Sequence, residues 1–255
     1  IYNNLRSLII GKVYTSADLA YYNQGDNLTY NIASSVDTSI ESVLFPVMSS
    51  LQDDRGQVKN MTRRSIKTST YIIAPVMMSI AFCAEPLVRL ILTEKWLPCV
   101  LFLRVFCLSY MCWPIITANL NAAKAVGRSD LYLKCQLMNE VVCILLLLAT
   151  FRVSVDAIAY GMLVTNIVTQ ILDAQPSKKL IDYGYLEQMH DILPTLLLAA
   201  GAGLCMYLVV FLHLPDLLTV IIQVVVGLGI YLTGSAILEL DTFEYFKDVL
   251  APSIR

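Results

Sequence analysis

The chain is poor in charge. Asp, Glu, Lys and Arg make up 15% of its 255 residues, where a soluble domain carries roughly 25%. That shortage excludes a water-soluble enzyme of this size and a disordered regulator. With a net charge of −2, the chain has no basic field to collect nucleic acid. Histidine occurs only twice, and there is no GxxxxGK[ST] loop, no GxSxG elbow and no HExxH pair, so a nucleotide-driven motor within the chain is excluded. Seven cysteines are present, none in a CxxC pair and none near a histidine. They read as small buried apolar residues, with no disulfide framework and no metal or cofactor set.

Hydrophobic residues are abundant, at 57% with a mean hydropathy of +0.65. The apolar runs are long, which predicts an all-α polytopic membrane helix bundle and excludes a barrel, whose strands need about 9–11 residues each. Residues 1–10 supply an apolar half span and read as the end of a helix cut within the membrane. Seven apolar segments follow, at about 28–50, 68–93, 100–123, 131–151, 155–175, 191–213 and 217–238. Each is long enough to cross ~30 Å of hydrocarbon. Alternating the loops puts eleven Lys and Arg on one side (Arg55, Lys59, Arg63, Arg64, Lys67, Lys124, Arg128, Lys178, Lys179, Lys247 and Arg255) and three on the other (Lys12, Lys95 and Arg152). The positive-inside rule makes the eleven-residue side, and the C-terminus with it, cytoplasmic.

Segment 28–50 differs from the rest. At 100° per residue, Asn31, Ser34, Ser35, Asp37, Thr38, Glu41 and Ser42 share one arc, opposite Ile32, Val36, Ile40 and Val43. Without Lys or Arg on that arc, the segment reads as a spanning helix facing a wet interior, not an interfacial one. Asp37 and Glu41 are i, i+4 neighbours, and an ionised group at mid-bilayer costs roughly 2.5–3.5 kcal/mol. The pair therefore reads either as part of a polar cavity for a cation, a proton or sugar hydroxyls, or as an ion-pair partner of Arg89 or Arg104. Glu140, with Gln136 and Asn139, makes a second polar patch about 15 Å into span 131–151. Lys134 snorkels. Asn119, Asn121, Thr165, Asn166, Thr169 and Gln170 read as helix-to-helix hydrogen bonds. His190, His213, Trp96 and Trp113 read as span-end or packing residues. Pro75, Pro86 and Pro114 predict kinks. Gly201, Gly203, Gly227, Gly229 and Gly234 mark the last two spans as closely packed scaffold.

Residues Gly11 to Asp54 read GKVYTSADLAYYNQGDNLTYNIASSVDTSIESVLFPVMSSLQDD. This stretch resembles the polysaccharide (O-antigen and exopolysaccharide) flippases of the multidrug/oligosaccharidyl-lipid/polysaccharide exporter superfamily. Their second half has a helix ending in a block that Gly11, Leu19, Tyr21, Tyr22 and Asn23 match. An amphipathic helix follows, ending in a block matched by Val43 to Pro46, Ser49 and Leu51 to Asp54. Glu85 to Val88 and Glu94 to Pro98 look like a third block, with Thr93 where the family usually has glycine. The resemblance covers about residues 1–150; the remainder matches by span count only.

The resemblance implies the second bundle of a 14-span transporter. Residues 1–175 would form a C-terminal six-helix bundle with its first helix truncated, and 176–255 two extra spans and a cytoplasmic tail. It implies no enzyme but a flippase of the bacterial inner membrane. The substrate would be an undecaprenyl-diphosphate-linked oligosaccharide for lipopolysaccharide or capsule synthesis, moved by alternating access with a missing N-terminal bundle. The arc on 28–50 would meet sugars. Arg6, Arg89 and Arg104 would meet diphosphate, and H⁺ or Na⁺ coupling would run through Asp37, Glu41 or Glu140. A cation-coupled multidrug antiporter, a polysaccharide polymerase and a non-transporting remnant stay open beside it.

Overall fold

The structure is a computed structural model that describes residues 2–212 and 214–250. His213 and Arg255, placed above at a span end and in the cytoplasmic tail, lie outside the described residues. Eleven α-helices run in order: α1 Tyr2–Val13, α2 Ser16–Ser50, α3 Arg55–Phe82, α4 Ala84–Leu92, α5 Cys99–Met111, α6 Trp113–Ala125, α7 Ser129–Thr150, α8 Val155–Ile181, α9 Tyr185–Leu208, α10 Asp216–Ile237 and α11 Asp241–Leu250. Among the described residues there is no strand.

Among the described residues, six segments are long and apolar enough to cross a bilayer: α3, α5 with α6, α7, α8, α9 with its 3₁₀ extension to Leu212, and α10. The protein is a multi-pass membrane helix bundle. The seventh expected span, α2, is 35 residues long, about 52 Å at 1.5 Å per residue, but too polar to count among the six. It also begins earlier than the apolar pattern indicated. Thr15 and Asp18 form a reciprocal capping box, with the Asp18 N–H donating to Thr15 Oγ1 at 3.1 Å and the Thr15 N–H to Asp18 Oδ2 at 3.2 Å. That capping satisfies the first orphan amides of the helix. Tyr21, Tyr22 and Asn23 therefore lie inside α2 and do not close the preceding helix.

The prolines act unevenly. α3 runs unbroken through Pro75, and the chain breaks at Cys83 and Cys112, just before Pro86 and Pro114. Both of these prolines sit in the first turn of a new helix, where a missing N–H removes no intrahelical bond. Asp54 caps α3, its Oδ1 accepting from the N–H of Gly56 at 3.0 Å and of Gln57 at 3.1 Å. Those donors hold its carboxyl below the usual carboxylate range, the Gln57 amides most of all. The last residue of the LQDD run is thus a helix cap.

α2 packs against α3, α5 and α6; α3 packs on α9; α7 and α8 pair, and α8 meets α5 and α6. The α9–α10 pair covers the outer side of α3. At Gly25 an added Cβ would lie 2.8 Å from Phe102 Cβ and 2.9 Å from the Leu103 amide nitrogen, so only glycine lets α2 approach the α5 backbone this closely. The cysteines are buried or half-buried, and Cys107 packs in the main core with Phe106 and Met77.

Candidate functional site

α2 is buried along Tyr22, Gly25, Thr29, Ala33 and Asp37, and open on the other side. Asn31, Ser35, Thr38 and Ser42 are exposed, while Ser34 and Glu41 are half-buried. The hydroxyls are satisfied within the helix. Ser35 Oγ donates to the Asn31 carbonyl at 2.7 Å, Ser42 Oγ to Ser39 at 2.8 Å, and Thr38 to Ser34. Their lone pairs remain available, so the face offers a row of acceptors without unsatisfied donors.

At the edge of this face, a cavity of about 310 Å³ lies between α2, α6 and α7. Asp37, Glu41, Thr117, Lys124, Tyr132 and Gln136 line it. Thr117 Oγ1 donates to Asp37 Oδ2 at 2.8 Å. Lys124 Nζ stands 4.0 Å from Glu41 Oε1 and 4.6 Å from the centre of the Tyr132 ring. The expected partnership of Asp37 and Glu41 with Arg89 or Arg104 is not formed. Arg89 donates to Glu85 at 2.7 Å, one turn back on its own helix. Arg104 Nε donates to the Ala81 carbonyl at 3.2 Å, one of the carbonyls released where α3 ends. Arg89 and Arg104 share another cavity, of about 430 Å³, with Glu85, Asp216 and Thr219 at the α4–α5–α10 end.

The second polar patch divides three ways. Gln136 joins the Asp37 cavity. Asn139 turns inward, its Nδ2 3.0 Å from both carboxylate oxygens of Asp173. Glu140 is exposed on α7, on neither the Asp37 nor the Arg89 cavity. Asn139 differs by angle, about 100° round the helix from Glu140, whereas Gln136 and Glu140 share a face and differ by one turn, about 6 Å, along the axis. Lys134 is exposed. Asn119 makes the expected cross-helix bonds, exchanging 2.8 Å hydrogen bonds with Gln188. Asn121 instead accepts from Lys124 on its own helix. Asn166 reaches the Ser109 carbonyl across α5 at 3.3 Å, while Thr165 and Thr169 bond carbonyls of their own helix.

Arg6 is not a surface cation. It is 2% exposed, paired with Asp26, and stacked 5.1 Å over the Tyr22 ring. Tyr110 Oη donates to Asp26 Oδ1 at 2.6 Å. The sequence reading missed Asp26, Tyr110 and Asp173. Asp26 lay before the apolar segment and Asp173 at the end of one, so neither stood out as a charge within a span. A one-turn extension of the first helix would have found Asp26, and weighing the last turn of segment 155–175 would have found Asp173. Among the described residues, no three His, Cys, Asp or Glu side chains gather as a metal site.

The profile of a family described as polysaccharide biosynthesis protein matches residues 1–101. An uncharacterized membrane protein in the cps region of Klebsiella pneumoniae is 30% identical over 113 residues, which are 43% of this chain and 23% of that protein. The solved structure of the lipid II flippase MurJ in an inward closed conformation superposes with a TM-score of 0.67 at 15% identity, over 88% of this chain and 48% of that one. The chain thus spans about a quarter of the length of the curated relative and about half that of the solved structure. The resemblance read from Gly11 to Asp54 is borne out: residues 1–101 match a polysaccharide-biosynthesis profile, and the helical fold is similar to that of a lipid II flippase.

Proposed function

We propose that this chain is one bundle of a transporter that flips lipid-linked oligosaccharide or polysaccharide repeat units across the bacterial inner membrane by alternating access. The observation that carries the proposal is the open face of α2, hydroxyl-rich from Asn31 to Ser42 and bordered by the Asp37–Glu41–Lys124 cavity. A row of self-satisfied hydroxyls with free lone pairs suits the many donors of a sugar. In this proposal a second bundle of the same protein, the N-terminal one, faces α2 and closes the path, and both the chain's extent against its relatives and the uncovered polar face support that arrangement.

The substrate is an undecaprenyl-diphosphate-linked sugar unit destined for lipopolysaccharide, capsule or exopolysaccharide. Arg89 and Arg104, on the extracytoplasmic side by the charge bias of the loops, receive the diphosphate after flipping. Arg6 is already committed to Asp26 and takes no part. The work is translocation, without covalent chemistry. H⁺ or Na⁺ coupling runs through Asp37 and Glu41, which share a cavity, and not through Glu140. The C-terminus is cytoplasmic. Residues 1–175 form the transport bundle, and 176–255 the two added spans and the tail.

The test is complementation of cells lacking the complete gene, scored by surface polysaccharide and by precursor retained on the cytoplasmic side. Asp37→Asn and Glu41→Gln should each lower surface polysaccharide at least tenfold at unchanged protein level. Wild-type display by both variants, or deletion without precursor retention, sinks the proposal.

A further inference from the structure

The cytoplasmic end of α3 carries a cavity that the transport proposal does not use. It measures about 510 Å³ and lies between α3 and the first turn of α11. Arg63, Arg64 and Lys67 line it from α3 with Asn60 one turn below, and Asp241 and Thr242 line it from α11. Its depth is informative. The apolar run of α3 begins at Tyr71, after Thr68, Ser69 and Thr70, so Lys67 lies about 6 Å and Arg64 about 10 Å from the hydrocarbon boundary at 1.5 Å per residue, the latter within side-chain reach of the headgroups. The headgroup layer is itself about 5–7 Å thick on each side. The cavity therefore sits at the level of lipid phosphates.

Its charge fits the same ligand. Three cations face one carboxylate. Lys67 Nζ holds Asp241 Oδ2 at 2.6 Å, and Arg63 is engaged on its α9 side by Asp191 and Glu187. The topological need for basic residues accounts for the sign of these side chains, but not for a cavity with hydroxyl and amide donors between them. Guanidinium and ammonium groups beside such donors recognise phosphate oxygens. α11 joins α10 through a turn in which Glu239 has φ +47°, and Asp241, two residues on, lines the cavity.

We propose that this cavity binds the phosphate of an anionic phospholipid of the cytoplasmic leaflet, with Arg64 and Lys67 as its charge partners and Asp241 of α11 as the built-in competitor for Lys67. An entering phosphate takes over Lys67 and releases α11, so lipid occupancy and the seating of α11 are coupled. The proposal stands independently of what the bundle transports.

The experiment is native mass spectrometry of the full-length protein, released from phosphatidylcholine nanodiscs containing graded phosphatidylglycerol. Arg64→Gln and Lys67→Gln should each weaken phosphatidylglycerol retention about fivefold, the scale of one cation at an anionic surface. Asp241→Asn keeps every cation and should strengthen retention, a gain that misfolding does not produce. Equal retention in wild type and all three variants overturns the proposal. So does displacement of phosphatidylglycerol by inorganic phosphate at equal concentration, which would assign the cavity to a soluble phosphate.

Discussion

α2 and the α9–α10 pair cross the same bundle by opposite means. α2 leaves a face of serines, threonines and Asn31 uncovered, with Asp26 half-buried and Asp37 buried on its inner side. At the contact of α10 with α9 the Gln223 amide is buried, its Nε2 donating to the Met206 carbonyl at 3.1 Å. Gly227 lies against Met206 and Gly234 against Leu198, and leucines such as Leu197, Leu204, Leu217 and Leu228 point outward. Packing around one cross-helix hydrogen bond is enough for a helix pair whose outer surface meets lipid. α2 spends polar side chains that lipid would penalise, which is the ground for proposing that it faces something other than lipid.

The largest test of this contrast removes one polar anchor from each region. Asp26→Ala takes the carboxylate from Arg6 and the acceptor from Tyr110, and breaking a buried pair costs about 3–5 kcal/mol. Gln223→Leu should cost under about 1 kcal/mol, because the Met206 carbonyl loses one donor and no buried charge is exposed. Denaturant unfolding in mixed micelles measures both, and equal losses would abolish the distinction.

Matched glycines give the next test. Gly25→Ala forces a Cβ into the α5 backbone, an overpacking worth about 1–3 kcal/mol. Gly229 has nothing within 4 Å of its added Cβ, so Gly229→Ala should stabilise by up to about 1 kcal/mol through helix propensity. Thermal unfolding reads the two signs.

Much of this was legible in the sequence. The polar arc from Asn31 to Ser42 and the close-packing role of Gly203, Gly227 and Gly234 follow from periodicity and residue size, whereas Gly201 and Gly229, read the same way, have open space around them. What was not legible depends on three-dimensional partners. Nothing in a single helix says that Arg6 meets Asp26 of the next, or that Asn139 turns inward to Asp173 while Glu140 faces out. Thr93 falls between these cases. The resemblance flagged it as a departure from glycine, and the structure gives it φ +79° and ψ 166°, a region that only glycine occupies without strain. Thr93→Gly should therefore stabilise by about 1 kcal/mol, the relief of strain exceeding the added freedom of the unfolded chain. A lower unfolding midpoint in this variant would show that Thr93 is relaxed.

Equal substitutions at equally exposed hydroxyls separate function from packing. Ser35, Ser42 and Thr233 each bond a carbonyl of their own helix and are exposed. Leucine at any of them should change stability by less than about 0.5 kcal/mol. Ser35→Leu and Ser42→Leu should lower surface polysaccharide several-fold, and Thr233→Leu should leave it unchanged. A matching loss in Thr233→Leu would remove the reason for placing the path on α2.

The smallest effect sits where α11 meets α3. Lys67 donates to Asp241 and, with Arg63 nearby, holds its carboxyl below the usual carboxylate range. A depressed value in the folded state means that the pairing contributes stability above about pH 4, the ordinary value, and that this contribution fades as pH falls through the folded one. Asp241 is 81% exposed in that pair, so water screens the interaction and global stability should barely change. The local readout is sharper. Carboxyl carbon shifts of labelled Asp241 should titrate below the ordinary midpoint, and Lys67→Gln should return the midpoint toward it. An unmoved midpoint in Lys67→Gln would mean that α11 is seated by its packing alone, and that the α3 end of the bundle belongs with the scaffold and not with the polar face of α2.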